Sequence, residues 1–420
     1  MAFWRRFLQR DDGATLAACT ALDIGTEFAK ALVFEIDHQG HGTVRGVGRR
    51  RQGLSHMQSG TVADIGAVVD NCSVALQEAE EMAGFRATQV VIGIAGELVK
   101  GFTTSHSQER KRADQPMTEA ELQRVIDGVQ REALREAERT ITWETGLPSV
   151  DIRLVHAAVT GATIDGYAVT NPVGFQGRHI RISIFNAFAP LVHLGALQSV
   201  ASQLDLELLA VVAEPYAVAR CLGGEQVQRN GALFIDVGGG TTDVALVRQG
   251  GIEGTRMFAL GGRAFTKSLA DRLDIPFARA EQIKVDHSRG MQVDRQEEVE
   301  ASIAEDMAVW AAGVELVMEE LSGGELLPGR IYLCGGGTRL PDLPAALRDP
   351  GFASRLPFSK PPDVEIIEPG AVDVLHDATE LLVDQQDVPP LGLAVQAIEM
   401  AAQEAPLDAA LRRVLRAMKV

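Results

Sequence analysis

Cysteine is scarce, with four in 420 residues. Cys19, Cys72, Cys221 and Cys334 lie far apart and form no CxxC pair, which argues against a zinc knuckle or disulfide framework and fits a reducing cytosol. No run of about 18 apolar residues occurs, and the N-terminus has no apolar core with a small-residue cleavage site, so neither a spanning nor an exported chain is expected. Positive charge is in deficit: a net charge of -17 and a pI near 5.0 repel phosphate backbones and argue against general nucleic-acid binding. The expected partners are proteins, or a nucleotide held with a metal ion. Neither GxxxxGK[ST] nor GxGxxG occurs in the glycine turns, so a P-loop or Rossmann site is not supported.

What is present is an ordinary globular balance, 46% hydrophobic and 23% charged, in a chain too long for one core. Residues 20–36 read as two apolar β runs around an Asp-Ile-Gly-Thr turn, and 43–52 continue less regularly. Helical spacing follows from Ala63 to Met82 and stops at Gly84. A strand at 89–95 leads into the polar stretch SHSQERKRADQP, expected to be a mobile surface loop. Thr118 and Glu121 form a capping-box pattern opening an amphipathic helix with Leu122, Val125, Ile126 and Val129 on one side. With strands at 152–159, 167–169 and 178–185, residues 85–190 read as a self-contained α+β insertion. Beyond it come a helix over 191–204, a strand, a helix with Pro215 in its first turn, a second strand–turn–strand unit near 233, a helical stretch over 270–322, a strand ending in CGGGT and terminal helices. A hairpin with a glycine turn thus occurs twice, which implies two similar lobes.

Three small-residue turns each follow an apolar strand: Asp23-Ile-Gly25-Thr26, Asp236-Val-Gly238-Gly239-Gly240-Thr241-Thr242-Asp243, and Cys334-Gly335-Gly336-Gly337-Thr338. Glycines let backbone amides approach phosphate oxygens, threonine hydroxyls donate to them, and carboxylates hold a hydrated Mg²⁺. One such turn alone is more often simply a hairpin. Their order carries the signal.

In that order the turns resemble the superfamily of actin, DnaK-type chaperones and sugar kinases over nearly the whole chain. DIGTEFAK is similar to the first phosphate turn, AEPYAVA to the first connecting helix, FIDVGGGTTDVAL to the second phosphate turn, YLCGGGTRLPDL to the adenosine turn and PPLGLAVQA to the second connecting helix. The resemblance implies an α/β, actin-like (ribonuclease H-like), two-lobe ATPase fold that binds ATP with Mg²⁺. By it, Asp23 and Asp236 would organise Mg²⁺ through waters. Gly25, Thr26, Lys30, Gly238, Gly239, Gly240, Thr241 and Thr242 would hold the phosphates, and Gly335, Gly336 and Gly337 the adenosine. Glu214 would position the attacking water of what is at most a slow ATPase. On the residues alone, the alternative for Lys30 is a solvated hairpin lysine and that for Glu214 a helix cap ahead of Pro215.

Two further stretches narrow the resemblance. FALGGRAFTKSLADRL followed by ARAEQIKVDHS resembles FtsA, where Glu281 and Lys284 would touch the ribose; the alternative is an ordinary helical charge pair. The insertion sits where FtsA and its relative PilM carry their distinctive subdomain. Lys30 comes later in its turn than is common in FtsA, a spacing more like PilM and actin. An FtsA-like role implies a tubulin-like division protein as partner, self-association into filaments, and a cytoplasmic protein peripheral at the inner face of the membrane. A PilM-like pilus scaffold bound to a pilus inner-membrane protein is the alternative, and a small-molecule kinase of the same fold a further one.

The expected domains are 1–14, a basic aromatic segment; 15–84 with 191–228, the first lobe; 85–190, the insertion; 229–268 with 324–405, the second lobe; 269–323, its helical subdomain; and 406–420, a basic amphipathic helix. Leu411, Val414 and Leu415 on one side, with Arg412 among the arginines on the other, suit an anionic membrane surface. Phe3, Trp4 and Phe7 beside arginines suit the same surface at the other end. The alternative for the C-terminal helix is packing on the body, with its arginines pairing surface carboxylates.

Overall fold

The computed structural model describes residues 17–146, 150–222, 225–402 and 406–417. The chain opens as an antiparallel meander, β1 (Ala17–Ile24), β2 (Phe28–Ile36) and β3 (Gly42–Arg51), in which Asp23 lies opposite Lys30. A small hairpin, β4 (Met57–Gln58) and β5 (Thr61–Val62), precedes α1 (Ile65–Ala83). Asp64 caps α1 by accepting from the Ala67 amide, and Gly84, at φ +77, ends it in the left-handed region that glycine favours. The helix lies so close on β3 that a Cβ at Gly46 or Gly48 would come within 1.9 or 1.7 Å of the carbonyl oxygens of Ala79 and Ala75. Only glycine permits that approach.

β6 (Gln89–Ile94) runs parallel to β1 inside the first sheet. The insertion expected from residue 85 therefore starts after it, with β7 (Lys100–Glu109), α2 (Glu119–Thr145), β8 (Ile152–Ile164), β9 (Tyr167–Ala168) and β10 (His179–Pro190). The polar stretch expected as a loop is half strand: β7 continues through Ser105–Glu109 in register with β10, its alternation hidden because Ser, His and Gln occupy both faces. Arg110 in the same stretch is buried, donating to the carbonyls of Gly177 at 3.1 Å and Gln115 at 2.9 Å and pairing with Glu121. The capping box at Thr118 and Glu121 is formed as expected.

The first lobe resumes with α3 (Leu191–Gln203), β11 (Glu207–Ala213), α4 (Glu214–Cys221) and α5 (Glu225–Asn230). The second lobe repeats the opening meander as β12 (Ala232–Val237), β13 (Thr242–Arg248) and β14 (Gly251–Phe258). Next come α6 (Gly262–Leu273), α7 (Phe277–Ser288), α8 (Gln296–Ser322), β15 (Arg330–Cys334), α9 (Asp342–Arg348), α10 (Pro350–Arg355), β16 (Asp363–Ile366) and β17 (Leu375–Asp377). The chain finishes with α11 (Val388–Ala401) and α12 (Pro406–Ala417).

The first sheet is ordered β11-β6-β1-β2-β3-β17, the second β16-β15-β12-β13-β14-β7-β10-β8-β9. The insertion is thus not self-contained as expected. β14 offers an open edge, and β7 pairs with it at Gly254–Phe102 and Thr255–Gly101, so the insertion belongs by sequence to the first lobe and by hydrogen bonding to the second. The connecting helices α4 and α11 cross where Gly392 leaves only 2.6 Å between a notional Cβ and the Ala217 carbonyl oxygen.

The apolar side of α12 is covered. Leu407, Ala410, Leu411 and Val414 are buried with Leu122, Val125 and Ile126 of α2 and Ala162 of β8, Leu415 is partly buried there, and Arg413 pairs with Glu119 at 3.3 Å. Burying each large apolar side chain contributes roughly 1.5–3 kcal/mol, which favours packing on the body over an exposed interfacial helix. The face read as a membrane anchor at Leu411 and Val414 is in this conformation a core face. Phe3, Trp4 and Phe7 lie outside the described residues. Among the described residues no helix is long and apolar enough to cross a membrane.

Candidate functional site

The strand ends β1 and β12 carry their carboxylates into a cavity of about 530 Å³ between the lobes. Asp23 closes β1 beside the turn in which the Gly25 amide donates to Phe28 O at 3.0 Å. Lys30, across the ladder, is buried, and its ammonium donates to Asp23 Oδ2 at 2.8 Å and to the Gln386 carbonyl at 2.7 Å. It is not a solvated hairpin lysine. The second turn closes with the Gly238 amide on Thr241 O at 2.9 Å. A Cβ at Gly240 would lie 2.8 Å from Thr26 Oγ1, and one at Gly239 would lie 3.1 Å from Glu27 Cβ. The two turns therefore abut across the lobes, with glycine where a side chain would fill the gap.

The third turn supports the second. At Gly335, φ is +85 and a Cβ would sit 2.1 Å from Asp236 Oδ1, so only glycine lets the Asp236 carboxylate keep its place. That oxygen is buried without a hydrogen-bond partner. Burial, with Asp23 adding to it, pushes Asp236 up to about 6 despite the opposing pull of Lys30. Burial and then Asp236 push Asp243 to about 8, and burial with the charges of Asp23, Asp243 and Asp236 holds Glu214 well above the carboxylate range. Three buried carboxylates and the partly buried Glu214 share one buried ammonium. A divalent cation would relieve exactly this excess, and the orphaned Asp236 oxygen is an acceptor for a water in its shell. Among the described residues no three His, Cys, Asp or Glu side chains converge as direct metal ligands.

Glu214 opens α4 and reaches the cavity because β6 has glycine beneath it: a Cβ at Gly93 would lie 2.5 Å from Glu214 Oε1. At the far wall Lys284 donates to Gly262 O at 2.8 Å and Thr266 Oγ1 at 2.7 Å and pairs with Glu281 at 2.9 Å. The two form the helical charge pair and also line the cavity, as do Gly336 and Gly337.

One expected contact is corrected. Strand alternation turns Thr241 into the cavity, where it donates to Asp243 Oδ2 at 3.1 Å, and turns Thr242 away from it. Thr242 Oγ1 donates to Leu260 O at 2.7 Å and accepts from Trp310 Nε1 at 2.9 Å in the second-lobe core, leaving it no phosphate to hold.

Known proteins resemble the chain in sequence and in fold. A sequence model of the family described as cell division protein FtsA matches residues 233–379, from β12 through β17. Cell division protein FtsA of Pseudomonas aeruginosa is 29% identical over 266 residues, 63% of this chain and 59% of that protein. FtsA of Streptococcus pneumoniae is 24% identical over 375 residues, covering 85% and 78%. In structure, a chain of a PilM-PilN type IV pilus biogenesis complex superposes with a TM-score of 0.62 at 18% identity, over 90% of this chain and 98% of that one. The chain has the two-lobe actin-like fold, similar in sequence to FtsA and in structure to a chain of the PilM-PilN complex. Its match spans about three-fifths of the length of the first two curated FtsA relatives, 59% and 60%.

Several cavity residues of this FtsA-like chain carried no sequence signal of their own. Glu27, Arg263, Arg339 and Gln386 all line it. Arg263 directly follows the ALGG segment, and Glu27 directly follows Thr26; their neighbours in those two motifs were the available clue. Arg339 pairs with Asp384, and Arg49 on β3 with Asp387, placing two arginines beside Gln386 where the lobes meet.

Proposed function

We propose that the chain binds ATP with Mg²⁺ between its lobes and acts, as an FtsA-like protein of cell division, to link a tubulin-like division ring to the inner face of the membrane. One observation carries the nucleotide reading: two glycine turns from separate lobes abut around a cavity whose buried carboxylates outnumber their counter-charges. Backbone amides of Gly25, Thr26 and Gly238–Thr241 would take the phosphate oxygens, and Lys30 is positioned to exchange Asp23 for a phosphate. Asp23 and Asp236 would hold the cation through its waters, and the cation would neutralise phosphate charge. Glu281 and Lys284 would meet the ribose, with Gly335–Gly337 along the adenosine. Glu214, once the charge excess is compensated, would accept a hydrogen bond from a water facing the terminal phosphate, giving slow hydrolysis at most.

The cell-division role rests on the FtsA relatives and the family match. Attachment through residues 407–420 requires α12 to leave the insertion, because Leu411 and Val414 cannot be buried against α2 and against lipid at once. Self-association into filaments belongs to the same reading. Titration calorimetry of the full chain with ATP and MgCl₂ tests the nucleotide half: about one site is expected, and no heat at millimolar nucleotide refutes it. A pull-down tests the role. Recovery of a tubulin-like division protein supports it, and recovery of pilus inner-membrane proteins instead transfers the chain to a PilM-like scaffold.

A further inference from the structure

Two residues that line the cavity, Glu27 and Arg263, form an ion pair that joins the two lobes beside the glycine turns. Glu27 belongs to the first turn, and its Oε2 accepts from Arg263 Nε at 2.7 Å. Arg263 opens α6 of the second lobe, and its own amide donates to the Gly239 carbonyl at 2.7 Å, so its backbone is fixed to the second turn while its side chain reaches the first. Glu27 is equally constrained: its carbonyl accepts from the Gln52 amide at 2.8 Å, and its other carboxylate oxygen pairs with Arg51 of its own lobe at 2.6 Å. The Glu27 and Arg263 side chains are 22% and 15% exposed, whereas Arg51 is 59% exposed. The interlobe half of this triad is thus the shielded half, where charge pairing is screened least.

We propose that Glu27 and Arg263 form an interlobe latch that sets how fast a nucleotide leaves the cleft. The inference rests on the nucleotide reading above. Both residues line the cavity, and Glu27 Cβ stands beside Gly239 where the turns abut. Separating the turns enough to release phosphates moves Glu27 with the first lobe and Arg263 with the second, so the pair must break first. Admitting phosphates separates the same two turns, so entry breaks the pair as well. The latch therefore restrains release and entry together and leaves affinity less changed than either rate, whereas loss of a phosphate contact would weaken affinity. The Arg51 pair lies within one lobe and survives opening, which makes it an internal control.

Stopped-flow displacement of a fluorescent ATP analogue, with MgCl₂ and the full chain, tests this. Glu27→Gln and Arg263→Ala are each expected to raise the dissociation rate about tenfold and to raise association as well, so that Kd shifts less than either rate. The double variant should be no faster than the faster single one, because both remove the same contact. Arg51→Ala should stay within about twofold of wild type, and Arg263→Lys, which keeps the charge, should fall between Arg263→Ala and wild type. Dissociation unchanged in Glu27→Gln and Arg263→Ala, multiplied effects in the double variant, or an equal effect of Arg51→Ala overturns the latch while leaving nucleotide binding intact. Failure of the wild type to bind the analogue overturns both.

Discussion

Replacing Asp236 by Asn should separate stability from ligand binding at this site. Without nucleotide, the Asp236 carboxylate is buried among Asp23, Asp243 and Glu214 with Lys30 as the nearby cation, and its pKa rises from 3.8 to about 6. A folded-state carboxyl that holds its proton more tightly than the unfolded one loses stability as pH climbs from about 3.8 to about 6, and the whole penalty is present above that window. Two units at about 1.36 kcal/mol each amount to ~3 kcal/mol. Asn keeps the shape and removes the charge. In buffer at pH 8 without Mg²⁺ or nucleotide, the variant should melt higher than wild type, by roughly 2–4 °C per kcal/mol recovered in a lobe of about 200 residues. Near pH 4 the two curves should converge. Adding Mg·ATP should reverse the ranking, since the wild type gains about 2.7 kcal/mol at a hundredfold excess over Kd and the variant gains little. Differential scanning fluorimetry across pH reads all three. A variant no more stable than wild type at pH 8, or equal stabilisation of both by Mg·ATP, would refute the charge-excess argument.

Other substitutions probe separate links. Gly335→Ala should abolish nucleotide binding in calorimetry and lower the melting temperature, because its Cβ would meet Asp236 Oδ1 at 2.1 Å from a backbone at φ +85. Glu214→Gln should retain ATP binding while lowering phosphate release at least tenfold. Leu411→Ala should cost about 2–4 kcal/mol in denaturant melts by opening a void between α12 and α2. Glu119→Arg, which turns the Arg413 pair into a repulsion, should weaken α12 docking and increase salt-sensitive sedimentation with anionic vesicles; unchanged sedimentation would separate α12 from the membrane.

The two-lobe architecture was legible because its signal is local: an apolar strand, an Asp-x-Gly turn and a second strand leave the same pattern near residues 23 and 236 in both sequence and structure. The glycine turn after β15 and the helices α4 and α11 were legible for the same reason. The pairing of β7 with β14 was not, since an open edge has no residue signature and its partner lies about 150 positions away. Thr242 was misjudged because adjacent threonines in a strand face opposite sides, and sequence alone did not show which side held Trp310. The C-terminal helix carried the right amphipathic pattern, but a face that suits lipid equally suits the apolar side of α2, and geometry favours the latter. The Glu27–Arg263 contact joins residues 236 positions apart, beyond any local pattern.

The most direct measurement is a structure of the full chain with Mg²⁺ and a non-hydrolysable ATP analogue. The account predicts phosphates between Gly25–Thr26 and Gly238–Thr241, a cation whose waters contact Asp23 and Asp236, and Lys30 turned from Asp23 toward a phosphate. A nucleotide bound elsewhere, or a cleft that stays empty at saturating analogue, would contradict it.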